Sequence, residues 1–290
     1  MNQRKIKQSF HLICLILAGL MPFHVSLAET ENVSLFQKNS HFDYDIYWSF
    51  LKIGSAQLSF HDIEIPKSTD KKYEVRFSVK SNELVSAIYP IESHIVSSLI
   101  ISNDQIKPSI YTKNSNEGGK QSDSIVRFNY QLNQITEEKD ETLLQPIEIT
   151  KDLQDPLSLI VAICQNDFQI DPVFQQDVSD GGQIISIRSS YLQSETIKTQ
   201  LGEFRTEVID IDPQGLRGVF KKSPDANVVL YLSEHSPAIP LKLKSKVRVG
   251  SFYAILSGGI YQGNPIKGKQ IESPQKPLTP IQGLKRRFKR

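Results

Sequence analysis

Lys242, Lys244, Lys246 and Arg248 fall at alternate positions. Alternate positions of a β-strand share one face, with ~7 Å between neighbours. Such a row of cations could meet phosphates or another anionic surface. On an edge strand the same row would instead discourage pairing with other sheets. The residues alone leave both readings open. Asp43 and Asp45 repeat the spacing with carboxylates, a pattern able to hold a cation but more often an outward acidic face beside a core phase. Beyond the first 28 residues the histidines are His41, His61, His94 and His235. None belongs to a His-x-x-x-His or His-Glu-x-x-His pair, so no spacing asks for a metal. The chain has no Gly-x-Ser-x-Gly turn to present a nucleophile. Gly181-Gly182 and Gly258-Gly259 connect no strand to a helix start, so they read as turns rather than phosphate loops. Cys164 lies on an apolar phase, where a thiolate would be costly. The expectation is a non-enzymatic protein with no catalytic, cofactor-binding or metal residues.

The elements that would position these residues are mostly strands. Phe42, Tyr44, Ile46, Trp48 and Phe50 alternate with Asp43, Asp45, Tyr47 and Ser49, the mark of a half-buried strand. Ala56, Leu58 and Phe60 continue as a second strand after a bend or reversal at Gly54-Ser55. Tyr73, Val75, Phe77 and Val79 form a third. Asn82 to Pro90 breaks the alternation and fits a short helical turn capped by Asn82 and stopped by Pro90. Strands resume over 91–101, 106–113, 124–130 and 134–138, with a hairpin connection across 114–120. Asp155-Pro156 opens the one longer helix, because proline at the first helical position has no amide hydrogen to waste. Leu157, Ile160, Val161 and Cys164 share a face of it. Further strands are expected at 184–188, 196–200, 203–210, 216–220, 227–233, 239–249 and 251–257.

Many strands at short spacing, joined by turns, argue a mainly β fold. The expected form is a strongly curved antiparallel sheet, an open barrel or clam, with one packed helix near 155–165. No linker interrupts 41–257, which reads as a single β-rich domain. The apolar phases carry large residues, and a curled sheet that its own side chains fill incompletely makes an apolar ligand site. Tyr44, Trp48, Phe60 and Phe77 are the candidate ligand-facing residues, a plain core being the alternative.

The two ends of the chain differ from this body. Arg4, Lys5 and Lys7, an apolar run from Phe10 to Leu20, and Ser26-Leu27-Ala28 read as a secretory signal over 1–28, cut after Ala28. Residues 29–40 are polar and read as loose. From 258 onward Gly, Pro, Lys and Gln dominate, as in a disordered basic tail. The signal carries three of the 34 Lys and Arg. The stretch from Tyr261 carries eight, against Glu272 alone among 32 acids. That leaves 23 bases against 31 acids, a body at −8 and a tail at +7. Lys285, Arg286 and Arg287, with the stripe at 242–248, are therefore candidates for peripheral contact with an anionic membrane. An exported, acidic body makes nucleic acid a poor partner. Cys164 is the one cysteine left after the signal, so no internal disulfide is available.

Four segments in order carry a further resemblance. They are Tyr44-Asp45-Ile46-Tyr47-Trp48 with Ile53-Gly54-Ser55-Ala56, then Ser81 to Pro90, then Asp155-Pro156-Leu157-Ser158, then Tyr231-Leu232-Ser233 with Ile239-Pro240-Leu241 and Val249-Gly250-Ser251. Together they resemble the uncharacterised bacterial family called domain of unknown function 3108, from about Phe42 to Ser257. The resemblance implies an exported, β-rich envelope protein and brings no established activity. With the signal, it makes the periplasm the expected compartment. Two functions are the leading expectations: a non-enzymatic envelope protein that binds an apolar or amphipathic ligand such as lipid or lipopolysaccharide, or a module that holds a partner protein in envelope or polysaccharide assembly. A hydrolase whose site is assembled from distant residues is the least favoured alternative.

Overall fold

The structure is a computed structural model that describes residues 40–63, 71–102, 105–149, 152–180, 182–212, 227–234, 237–247 and 250–269. The expected signal, the loose start apart from Ser40, the expected strand at 216–220, His235, Arg248, Lys285, Arg286 and Arg287 lie outside these residues.

The chain first forms a meander. Its strands are β1 (His41–Trp48), β2 (Leu51–Ile63), β3 (Lys71–Ser81), β4 (Ile91–Ser102), β5 (Gln105–Glu117), β6 (Lys120–Asn129), β7 (Gln134–Lys139), β8 (Thr142–Leu143) and β9 (Ile147–Glu148). A single helical turn, α1 (Glu83–Ser86), links β3 to β4. Helix α2 (Pro156–Gln165) then leads to a second meander. Its strands are β10 (Val173–Ser179), β11 (Ile184–Thr199), β12 (Gly202–Ile211), β13 (Asn227–Ser233), β14 (Pro240–Val247), β15 (Gly250–Tyr261) and β16 (Asn264–Pro265). The two meanders join through their outermost chain segments, because β15 pairs antiparallel with β1. The result is one sheet running from β10 to β15, then β1 to β8, with β16 on β15 and β9 on β7. Strands β10 and β8 end the path, so the sheet is open.

Curvature is visible in what the sheet touches. Helix α2 contacts β3, β4 and β5 on one side and β10 on the other, strands far apart in the sheet order. Tyr44 on β1 reaches past β15 to donate its O–H to the Pro240 carbonyl on β14 at 2.7 Å. The core fills the inner face: Phe42, Phe60, Val75, Leu99, Ile209, Leu232, Leu241 and Leu256 are each at most 1% exposed. Phe42 and Phe60 meet edge to face at 5.7 Å, the geometry that their ring quadrupoles favour.

The predicted start of α2 is present. Asp155 accepts from the backbone N–H groups of Leu157 and Ser158 at 2.8 and 2.9 Å, and Ser158 Oγ accepts from the Asp155 N–H at 2.8 Å. The expected single apolar face is too narrow, however. Leu157, Ser158, Leu159, Val161, Ile163 and Cys164 are all buried, because the helix lies in the curve of the sheet rather than on its surface. Ile160, expected in the packed face, is only partly buried.

Four other expectations are corrected. Strand β2 runs unbroken through Gly54-Ser55, and the reversal is at Ser49-Phe50. Residues 184–199 form one strand, β11, with a register shift between Tyr191 and Gln193, not two strands. Strand β14 is interior, paired with β13 and β15, so edge protection does not explain its lysines. Finally, the segment 258–269 is part of the fold, not of a tail. Strand β15 continues to Tyr261, and Lys269 exchanges two backbone hydrogen bonds with Glu203 at 3.0 Å. Its glycines misled because they mark close backbone approach. Gly259 has φ +136, and a Cβ there would stand 2.3 Å from the His41 carbonyl oxygen, so the composition reflects packing rather than looseness.

Candidate ligand cavity

On the inner face the side chains leave a cavity of about 270 Å³. Tyr44 and Ile46 of β1, Ala56 and Leu58 of β2, and Phe77 of β3 form one wall. Ile211, Leu230, Pro240, Leu243, Phe252 and Ala254 form the other, and Ile160 of α2 closes one side. This is why Ile160 is not fully packed: it faces the void. The Tyr44 hydroxyl is already committed to the Pro240 carbonyl, and burial holds that phenol well above its ordinary pKa. Lys242, Ser245 and Tyr253 are the other polar residues of the lining, yet the surface that faces the cavity is apolar. The walls are therefore suited to hydrocarbon. Ile46, Ser245 and Phe252 each stand two residues from a strand end, and Ile211 ends β12. All four ends belong to one rim of the sheet, so the cavity lies toward that rim.

The expected ligand-facing residues separate on this geometry. Tyr44 and Phe77 line the cavity. Phe60 does not; it is 1% exposed, two positions deeper along β2 than Leu58 and covered by Phe42. Trp48 is 45% exposed and stacks on Phe252, a cavity residue, at 6.2 Å. Phe50 leaves the core phase altogether, because it sits in the turn after β1.

Lys242, Lys244 and Lys246 share the outer face of β14. Tyr231, Lys242, Ile255 and Asp45 are register partners across four strands, and so are Lys244, Tyr253 and Tyr47. The Lys242 ammonium sits 5.0 Å from the centre of the Tyr231 ring and 5.6 Å from that of Tyr253, within cation–π range. Burial, then the neighbouring Lys244 charge, lowers its pKa, while Glu195 opposes the shift. Lys244 and Lys246 are exposed. The acidic pair is outward, as one sequence reading had it: Asp45 bonds Lys52 at 2.7 Å, and Asp43 accepts from Gln57 at 2.7 Å.

Residues 43–257 match the family described as "Protein of unknown function (DUF3108)". The chain belongs to the DUF3108 family. Two of the segments that carry the resemblance have structural roles here: Asn82 to Pro90 builds the α1 connection, and Asp155 to Ser158 caps α2. No curated protein matches the chain. Among solved structures it is similar to the beta-barrel-like protein of domain of unknown function DUF1849 from Brucella abortus, at 7% identity and a TM-score of 0.48. That likeness covers 81% of this chain and 100% of the other.

Two groupings escaped the sequence reading. His41, His61 and His94 line one hollow on the outer face of β1–β4, together with Arg76, Gln57 and Ser59. Each histidine has its own neighbour: Asp43 at 3.8 Å, Ser59 at 3.1 Å and Glu92 at 3.7 Å, respectively. Among the described residues no group of three or more His, Cys, Asp or Glu is placed to hold a metal ion. Only cross-strand register brings these histidines together, and no local spacing signals it. The second grouping is polar and internal. Asp155, 1% exposed, accepts from the Ser97 hydroxyl as well as from the α2 amides. Burial raises its pKa to about 6, against the pull of those hydrogen bonds. Serine 97 could not be linked to Asp155 from sequence, 58 positions away.

Proposed function

We propose that this protein is an exported, non-enzymatic component of the bacterial cell envelope that holds the apolar part of an amphipathic ligand inside its sheet. The observation that carries the reading is the apolar cavity between β1–β3, β12–β15 and α2. At ~30 Å³ for each water-sized group, about 270 Å³ takes roughly nine methylene-sized groups. Burying them would contribute about 7 kcal/mol at ~0.8 kcal/mol each, before the cost of association. Micromolar or weaker binding is the expected range. The lining offers hydrocarbon contact and little for a headgroup, so the polar end of the ligand stays outside, toward the rim. A lipid or a lipopolysaccharide acyl chain has this chemistry. Export rests on the signal pattern, and N-terminal sequencing of periplasmic protein should read from Glu29. For the ligand, protein purified without detergent should carry lipid detectable by mass spectrometry. A fluorescent fatty acid should bind it, and Ala254→Phe, which fills the cavity, should abolish that binding. Lipid-free protein that binds no fatty acid, but crosslinks in cells to one stoichiometric protein, would replace this reading with that of an assembly module.

A further inference from the structure

The rim nearest the cavity is apolar in an unusual way. Phe50 in the β1–β2 turn is 90% exposed, Leu84 in α1 is 77% exposed, and Ile88 just beyond it is 88% exposed. Trp48, Leu51 and Tyr89 add about half of their surface each. Single exposed apolar residues are ordinary, but a contiguous set of large ones marks an interaction surface. Here the set is contiguous by construction. Asn82, which caps α1, donates its side-chain amide to the Lys52 carbonyl at 2.7 Å and its backbone N–H to the Ile53 carbonyl at 2.8 Å. That holds α1 against the start of β2, next to the turn that carries Phe50. The antiparallel order then puts the end of β1, the start of β2, the end of β3 and the start of β15 on this same rim.

We propose that this rim docks on an anionic lipid bilayer. These side chains stand on two neighbouring connections, Trp48, Phe50 and Leu51 at the β1–β2 reversal and Leu84, Ile88 and Tyr89 between β3 and β4. A fluid apolar phase can surround each of them, whereas a rigid protein partner would need a matching pit for each. Charge favours an anionic surface. On the rim, Lys52 and Lys80 are paired with Asp45 and Glu92. Lys244 and Lys246, toward the same end of β14, have no carboxylate within 4 Å among the described residues, and Glu83 stands in the single turn of α1 beside Leu84. The docked rim places the cavity beside the acyl region, so the proposal complements the ligand reading without requiring it.

The chain carries its own reporter, because Trp48 is its one tryptophan. With the processed chain and vesicles of phosphatidylglycerol and phosphatidylcholine, Trp48 emission should shift to the blue and be quenched by doxyl-labelled lipid. Binding should be weaker to phosphatidylcholine alone and should fall with salt. The double substitution Phe50→Ser and Ile88→Ser should lower partitioning at least tenfold while leaving the thermal melt unchanged. Leu132→Ser, on the opposite rim, should change neither. The double variant should still bind the fluorescent fatty acid, and Ala254→Phe should still dock on vesicles, which separates this proposal from the cavity reading. Unchanged Trp48 emission, or vesicle binding that the double variant retains, overturns it. A dimer in solution that the double variant splits, with no vesicle binding, would assign the rim to a second copy of the chain instead.

Discussion

Replacing Asp155 with asparagine isolates one buried carboxyl. The Asp155 side chain caps α2, takes the Ser97 hydroxyl bond and is almost wholly shielded from water. Its pKa rises from the ordinary 3.8 to about 6, with burial as the largest cause. A carboxyl whose folded pKa lies above its unfolded value binds protons more tightly when folded. Its contribution to stability is therefore fully present below pH 3.8 and is lost as pH rises through about 6. The gap between 3.8 and about 6, at about 1.36 kcal/mol for each pH unit, comes to about 3 kcal/mol. Asparagine keeps a capping oxygen, and its amide can donate to Ser97 once that hydroxyl rotates. Asp155→Asn should thus match the parent near pH 4 and exceed it by up to about 3 kcal/mol at pH 7.5. Urea unfolding of both proteins between pH 4 and 8 measures the difference, and other titrating groups cancel. A difference that is flat with pH would refute the reasoning, since it would mean the carboxyl is not desolvated as the packing implies. Asp155→Ala, which removes the cap outright, should cost about 0.5–2 kcal/mol near pH 4, and that deficit should shrink or reverse as pH rises, because alanine, like asparagine, does not titrate.

Cys164 is 2% exposed, and burial pushes its thiol up to about 12, so native labelling should be slow and become fast on unfolding; Cys164→Ser should cost about 1–3 kcal/mol in a denaturant titration. Gly54→Ala should destabilise by about 1–3 kcal/mol in the same assay, because the new Cβ would stand 2.4 Å from the Lys80 carbonyl oxygen. Ending the chain after Lys269 should leave the thermal melt near that of the parent and reduce adsorption to anionic vesicles through lost lysines and arginines. Ending it before Tyr261 should lower the melting temperature, because Tyr261 packs on Phe42 and donates to the Pro237 carbonyl.

Period-two alternation made β1, β3 and β13 legible, and the Asp155-Pro156 pair made α2 legible, because those signals are local. What failed was set by neighbours that sequence does not name. Trp48 keeps the inner phase of β1, opposite Phe252, but ends the strand at the rim and stays 45% exposed, while the turn at Ser49 takes Phe50 out of that phase. The end of the domain was misplaced because Gly259 and its neighbours answer to the backbone of β1, far away in the chain. Tyr44 and Phe77 could be singled out as large residues on inward phases. Leu230, Phe252 and Ile160, which complete the cavity with them, come from other parts of the chain and become partners only through β1–β15 pairing and the placement of α2.

That central pairing also sets an order of events. Ser257 donates its hydroxyl to the Asp43 carbonyl, 214 positions away, and every β1–β15 contact closes a loop of similar size. Such contacts carry the largest chain-closure entropy and slow folding most. Each meander can zip locally, but the seam between them waits until the last strands have been synthesised. An incomplete chain would leave β1 with one bare flank, open to pairing with other molecules.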